Sequence, residues 1–283
     1  MPVTRIILDT DLSMGYGADV DDGFALALAH ADPAIQMDLI TTVNGNTDIE
    51  SATILTGVLL NRFGIQDTPL VRDTARPPTP GYAPVAIVEQ ILANPGEITI
   101  VAIGPLTNVA ITLLLEPQIK TAIKELVIMG GVFFGTMYSR DKPGEFNVFS
   151  DPEAARAVLR SGIPQRWIGL DCTLRKASSS FAAFAGDAIM AYIDYQAVRF
   201  PGRPKTESIP IYDPLAVAVV SKPDLCKHRD MAVSIITGDG ETRGIMIADR
   251  LETPSPPIPN CRVAVDVDSE AFRSHFLTFI QTL

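Results

Sequence analysis

Two runs in this chain are apolar almost without a break: Ile98-Thr99-Ile100-Val101-Ala102-Ile103 and Leu126-Val127-Ile128-Met129. A strand with one wet face alternates apolar and polar residues. A strand that is apolar throughout is buried on both faces. Both runs stop at glycine, in Gly104-Pro105 and Gly130-Gly131, and helical patterns lie between such runs. Strands alternating with helices, each strand covered on both sides, imply an α/β fold with a mostly parallel sheet flanked by helices. The hydrophobic content of 47% supports a large core. No repeat, low-complexity tract or linker divides the chain, so one domain over residues 1–283 is expected.

The remaining elements follow from period and punctuation. Ile6-Ile7-Leu8 reads as the first strand, and Phe24 to Ala29 as the inner face of the first helix. A strand is expected over Met37 to Val43 and a helix over Ile49 to Arg62. Residues 67 to 84 carry five prolines and read as a loop after a short strand at Leu70-Val71. Helices are expected over Val85 to Leu92 and Leu106 to Leu115, with Thr107 and Asn108 as capping residues. Asp151-Pro152 is a helix start. Trp167 to Asp171 reads as a strand, Ser180 to Phe200 as helical, 201 to 211 as a loop, and Leu215 to Val220 as a helix after Tyr212-Asp213-Pro214. The last third holds strand patterns at Met231 to Thr237, Gly244 to Ala248 and Arg262 to Val267, then a helix from Ser269 to Leu283.

The chemistry concentrates in residues 5 to 28. Asp9 and Asp11 sit at the end of the first strand, on one side of an extended chain. A glycine-containing loop returns to Asp21-Asp22 at the start of the first helix. Aspartates there are either caps or ligands. Four packed carboxylates repel unless protons or a cation neutralise them, and a hard divalent ion such as Ca²⁺ suits their oxygens. Asp213 is a fifth candidate, distant in sequence. In open parallel sheets ligands bind at the carboxyl ends of the strands. Asp9, Asp11, Asn46, the Ile103-Gly104 turn, Gly130-Gly131 and Asp171 all fall there; Asn46 is either a ligand contact or a cap. A cation held by Asp11 and Asp22 would lower the pKa of a bound water, a neighbouring carboxylate could take its proton, and a ribose diol could complete the shell. That set favours sugar-bond hydrolysis through an oxocarbenium-like state.

Other chemistries find no support. The net charge of −10 argues against nucleic acid or an anionic membrane surface as partner. No apolar run would span a bilayer and no secretion signal is visible. Cys172, Cys226 and Cys261 have no metal or disulfide spacing, which suits a reducing, cytoplasmic setting. There is no phosphate-binding loop and no G-x-S-x-G. His30, His228 and His275 and the lone Trp167 read as surface or packing residues.

Six further stretches accompany the D-x-D…D-D opening: TTVNGN (41 to 46), IGPLTN (103 to 108), VIMGG (127 to 131), EFNVFSDPEAA (145 to 155), GLD (169 to 171) and YDPLAV (212 to 217). In this order they resemble the inosine–uridine-preferring nucleoside hydrolases over nearly the whole chain. The resemblance implies a Rossmann-like fold, a bound Ca²⁺, hydrolysis of the N-glycosidic bond of purine or pyrimidine ribonucleosides, and a homodimer or homotetramer. Residue by residue it implies Asp11 as metal ligand and general base for a metal-bound water, Asp22 and Asp213 as further ligands, and Ile103 as a ligand through its carbonyl. It implies Asp21, Asn46, Glu145 and Asn147 as ribose contacts, with Asp9 behind them.

The chain departs from the family where the leaving group is protonated. Tyr212 stands where many pyrimidine-tolerant members carry His, and residues 72 to 84 lack histidine. Tyr212 or a residue of the 133 to 142 loop is expected to face the base, and Met14 and Tyr16 lie in a lengthened loop near the site. Two other readings stay open: a D-x-D phosphatase with Asp9 as nucleophile, and a non-catalytic Ca²⁺/ribose-binding protein of the same fold.

Overall fold

A computed structural model describes residues 3–13, 21–72, 82–135, 138–139, 142–176, 211–250 and 255–283. Its centre is an eight-stranded sheet in the order β3-β2-β1-β4-β5-β8-β12-β9. The strands are β1 (Thr4–Thr10), β2 (Ile35–Thr42), β3 (Leu70–Arg72), β4 (Ile98–Ala102), β5 (Glu125–Met129), β8 (Gln165–Ile168), β9 (Cys226–Met231) and β12 (Cys261–Val267). Every pairing in it is parallel except β12 with β9. Two small antiparallel pairs lie outside it: β6 (Tyr138–Ser139) with β7 (Lys142–Pro143), and β10 (Val233–Ile235) with β11 (Met246–Ala248).

Side-chain alternation splits the core into two layers. Ile6, Leu8, Val101, Val127 and Ile168 pack under α1 (Asp21–Ala31), α2 (Ile49–Phe63), α7 (Leu170–Lys176), α8 (Asp213–Ser221) and α9 (Ser269–Ile280). Ile7, Ile100, Leu126, Ile128 and Trp167 pack on the other face under α3 (Tyr82–Ala93), α4 (Thr107–Leu115), α5 (Phe146–Ser150) and α6 (Pro152–Leu159). Each fully buried Leu or Ile contributes about 1.5–3 kcal/mol relative to exposure. Both faces of the central strands are thus covered, as the uninterrupted apolar runs require.

Several boundaries differ from the sequence expectation. α3 starts at Tyr82, with Pro84 in its first turn, where proline needs no hydrogen-bond partner. The strand expected over Trp167 to Asp171 runs over Gln165–Ile168, and Asp171 lies in α7. β9 is an added edge strand: the sequence reading expects no strand over CKHRDM, and pairing with β12 makes it one. Residues 146 to 150, after the loop that begins at 133, form the short α5, and α9 ends at Ile280. The 180 to 200 helical pattern, residues 201 to 210, and Met14 and Tyr16 lie outside the described residues.

Candidate active site

The carboxyl ends of β1, β2, β4 and β5 converge with the starts of α1 and α8. Parallel pairing brings Asp9 level with Thr41 and Ala102. Asp9 is fully buried, and its Oδ1 accepts from the Thr41 hydroxyl at 2.7 Å and from Asn108 Nδ2 at 2.7 Å. Asn108 also donates to the Thr42 carbonyl at 3.1 Å. It therefore ties α4 to the ends of β1 and β2 instead of capping α4, which has no side-chain cap.

Asp11 lies just past β1 and is fully buried. The Asn46 backbone N–H donates to its Oδ2 at 2.7 Å. The Asn46 side-chain amide lies 3.4 Å from both Asp11 Oδ1 and Asp22 Oδ2, so it sits between the two carboxylates. The helix that follows is capped by Asp48. Two glycines make room for Asp11: a Cβ on Gly45 would lie 2.0 Å from its Oδ2, and one on Gly104 3.1 Å from its Cβ. Burial drives the pKa of Asp11 well above the usual carboxylate range, and the charges of Asp22 and Asp21 add to it against the Asn46 N–H.

Asp22 is fully buried, and the Thr10 hydroxyl donates to its Oδ1 at 2.5 Å. Asp21 joins the starts of α1 and α8: its Oδ2 accepts from the backbone N–H of Tyr212 at 2.9 Å and of Asp213 at 3.2 Å. Asp21, Asp22 and Asp213 each offer a carboxylate oxygen within 4.8 Å of one another, a group able to hold a metal ion. Asp11 is outside that trio and adjoins it through Asn46.

The opposite wall is α5. Glu145 caps it, with Oε1 accepting from Asn147 N at 2.8 Å and Oε2 from Val148 N at 3.0 Å; Gly131 N also donates to Oε2, at 3.1 Å. Burial raises the Glu145 pKa even so. The Asn147 side chain donates to the Ile103 carbonyl at 2.9 Å and to the Met129 carbonyl at 3.3 Å. A carbonyl oxygen has two lone pairs, so Ile103 keeps acceptor capacity beside that bond.

Sequence reasoning missed Thr10, Thr41 and Asn108 as the groups that hold Asp22 and Asp9, and Gly45 and Gly104 as the space for Asp11. Thr41, Asn108, Gly45 and Gly104 all stand inside the TTVNGN and IGPLTN stretches; the signal was their position at strand ends, outweighed by ordinary capping.

The profile of the inosine-uridine preferring nucleoside hydrolase family matches residues 6–274. The chain belongs to that family. Membership makes it an enzyme of the nucleoside hydrolase class. Pyrimidine-specific ribonucleoside hydrolase RihB of Escherichia coli is 27% identical over 310 aligned positions, spanning 96% of this chain and 95% of that protein. A purine-preferring ribonucleoside hydrolase from Gardnerella vaginalis is 25% identical with a TM-score of 0.81, covering 99% of this chain and 98% of the other. A plant nucleoside hydrolase, PpNRh1, is 24% identical with a TM-score of 0.83, each chain covered in full (100% and 100%), which shows the shared fold.

Proposed function

We propose that this enzyme hydrolyses the N-glycosidic bond of ribonucleosides to ribose and free base, with Ca²⁺ as its cofactor. The observation that carries the reading is the buried carboxylate group drawn from the starts of α1 and α8, Asp21, Asp22 and Asp213, with Asp11 beside it. The donor set fits a hard divalent cation. All the donors are oxygens, and burial with the charges of Asp22 and Asp21 disfavours the charged form of Asp11 unless a positive charge offsets it. Asp11, Asp22, Asp213 and the Ile103 carbonyl would hold the ion. When bound, calcium supplies Lewis-acid polarisation of the attacking water and of ribose hydroxyls.

The chain's own groups supply the rest. Asp11 takes the proton of the attacking water, with its Oδ2 held by Asn46 N–H. Asp21, Asn46, Glu145 and Asn147 hold the ribose hydroxyls, and Asp9 supports the floor through Thr41 and Asn108. The water oxygen bonds to C1′ as the C1′–N bond breaks through an oxocarbenium-like state, and a proton goes to the departing base. Tyr212, at the start of α8, or a residue of the 133 to 142 loop is the group we propose to face that base. Residues 1–283 act as one domain, the assembly is a homodimer or homotetramer, and the three buried free cysteines suit a cytoplasmic setting.

The test is reducing-sugar release across purine and pyrimidine nucleosides, with and without chelator, for the wild type and Asp11→Ala. Loss of at least about 100-fold in kcat/KM is expected for the variant, in the range for removing a general base, together with loss on chelation and recovery on added Ca²⁺. Near-normal turnover by Asp11→Ala would remove Asp11 as the base. Saturable nucleoside binding without hydrolysis by the wild type would leave a binding protein instead.

A further inference from the structure

Asp171 lies in the first turn of α7, just past β8, and has no part in the reaction just described. Its carboxylate reaches back across the sheet: Oδ2 accepts from Phe133 N at 2.5 Å and Oδ1 from Phe134 N at 3.1 Å. The backbones meet at the same corner. Leu170 N donates to the Gly131 carbonyl at 2.9 Å, and Gly130 N donates to the Ile168 carbonyl at 3.2 Å. A Cβ on Gly169 would lie 2.7 Å from the Gly131 oxygen, so the start of α7 and the turn after β5 are in direct contact. The Gly131 N–H, on the far side of that turn, donates to Glu145 Oε2. One turn, residues 130 to 134, is thus gripped by α7 and itself grips Glu145, whose other oxygen holds Asn147 N.

We propose that Asp171 is a positioning residue for the sugar: it sets the 130 to 134 turn so that Glu145 and Asn147 meet the ribose. The inference rests on the reading of Glu145 and Asn147 as ribose contacts. Here the Phe133 and Phe134 N–H groups are met by two acceptor oxygens on one side chain. A carboxylate has them, whereas an amide has one and sets a donor against the second N–H. The effect passes through the sugar side of the substrate and is independent of the base.

Steady-state kinetics of Asp171→Asn, beside Glu145→Gln and wild type, tests this on one purine and one pyrimidine nucleoside. For Asp171→Asn, KM is expected to rise about tenfold for both, with kcat within about twofold, since displacement of a positioning group by a fraction of an ångström costs that much. The inhibition constant of free ribose is expected to rise in parallel. Asp171→Glu keeps the charge and both acceptors on a longer arm and serves as the second variant should the first fold poorly; a smaller KM rise is expected. A merely structural role would lower the melting temperature and the active fraction, so kcat would fall with KM and ribose inhibition unchanged. That result would overturn the proposal. Should Glu145→Gln leave KM and ribose inhibition at wild-type values, the ribose reading itself fails; should Glu145→Gln shift them and neither Asp171 variant do so, only the link through Asp171 fails.

Discussion

Gly45→Ala isolates the space around Asp11. Gly45 is not among the glycines with positive φ, so alanine can adopt its backbone conformation and any cost comes from contact alone. The added Cβ would sit 2.0 Å from Asp11 Oδ2 and 2.8 Å from both Asp11 Cγ and Pro105 Cδ. Ordinary contact begins near 3.4 Å, so the carboxylate or the 44 to 46 turn must move by roughly 1.4 Å, which is more than the Asn46 N–H bond at 2.7 Å can survive. A displacement of about 1 Å at a reacting group costs about 100-fold, equivalent to about 2.7 kcal/mol of transition-state stabilisation. Overpacking a dense interior costs about 1–3 kcal/mol of stability. At about 2.1 cal/mol/K per residue the unfolding entropy of this chain is about 0.6 kcal/mol/K, so the melting temperature is expected to fall by about 2–5 °C. Calorimetry and nucleoside hydrolysis on the same preparation check both numbers. Gly238→Ala, whose Cβ would meet nothing within 4 Å, is the control. Wild-type kcat/KM in Gly45→Ala would refute the placement of Asp11 against this turn.

Gly57→Ala is expected to act in the opposite sense. Gly57 lies inside α2, and a Cβ there would meet only Leu70 Cδ2 at an ordinary 3.8 Å; removing glycine from a helix interior stabilises by about 0.5–1 kcal/mol, or about 1–2 °C. Asp32, in the connection between α1 and β2, sets an acid limit. Burial pulls its pKa up, but His275 Nε2 at 3.3 Å, the Ser221 hydroxyl and the Ala34 N–H at 2.9 Å outweigh that and hold it below 3.8. A carboxyl lowered in the folded state contributes stability above its unfolded pKa and loses it as pH falls through the folded value. The urea midpoint of wild type should therefore exceed that of Asp32→Asn most clearly above pH 3.8, with the gap closing in stronger acid. A gap constant with pH would discard the ionic account.

The sheet could be foreseen because its central strands must be apolar on both faces, and Ile98 to Ile103 and Leu126 to Met129 advertise that directly. β9 could not, since an edge strand needs only its inward residues apolar, and Lys227, Arg229 and Asp230 hide it. Within the site the paired aspartates stood out by density and Asp213 by its motif. The contact between Asp21 and the N–H groups of Tyr212 and Asp213 is tertiary and leaves no local trace. Asn108 shows why a local rule can mislead. Asparagine near a helix start is ordinarily a cap, but here the helix begins under a buried carboxylate, and the side chain turns to Asp9 instead.

The bridge from Asp21 to Tyr212 spans 191 residues of chain. At ribosomal speeds of about 5–20 residues per second, roughly 10–40 seconds separate the synthesis of its two sides. Throughout that interval a nascent polypeptide carries Asp11, Asp21 and Asp22 without their distal partner. Prematurely terminated products ending before α8 would then be inert toward nucleosides, however well their leading strands had assembled.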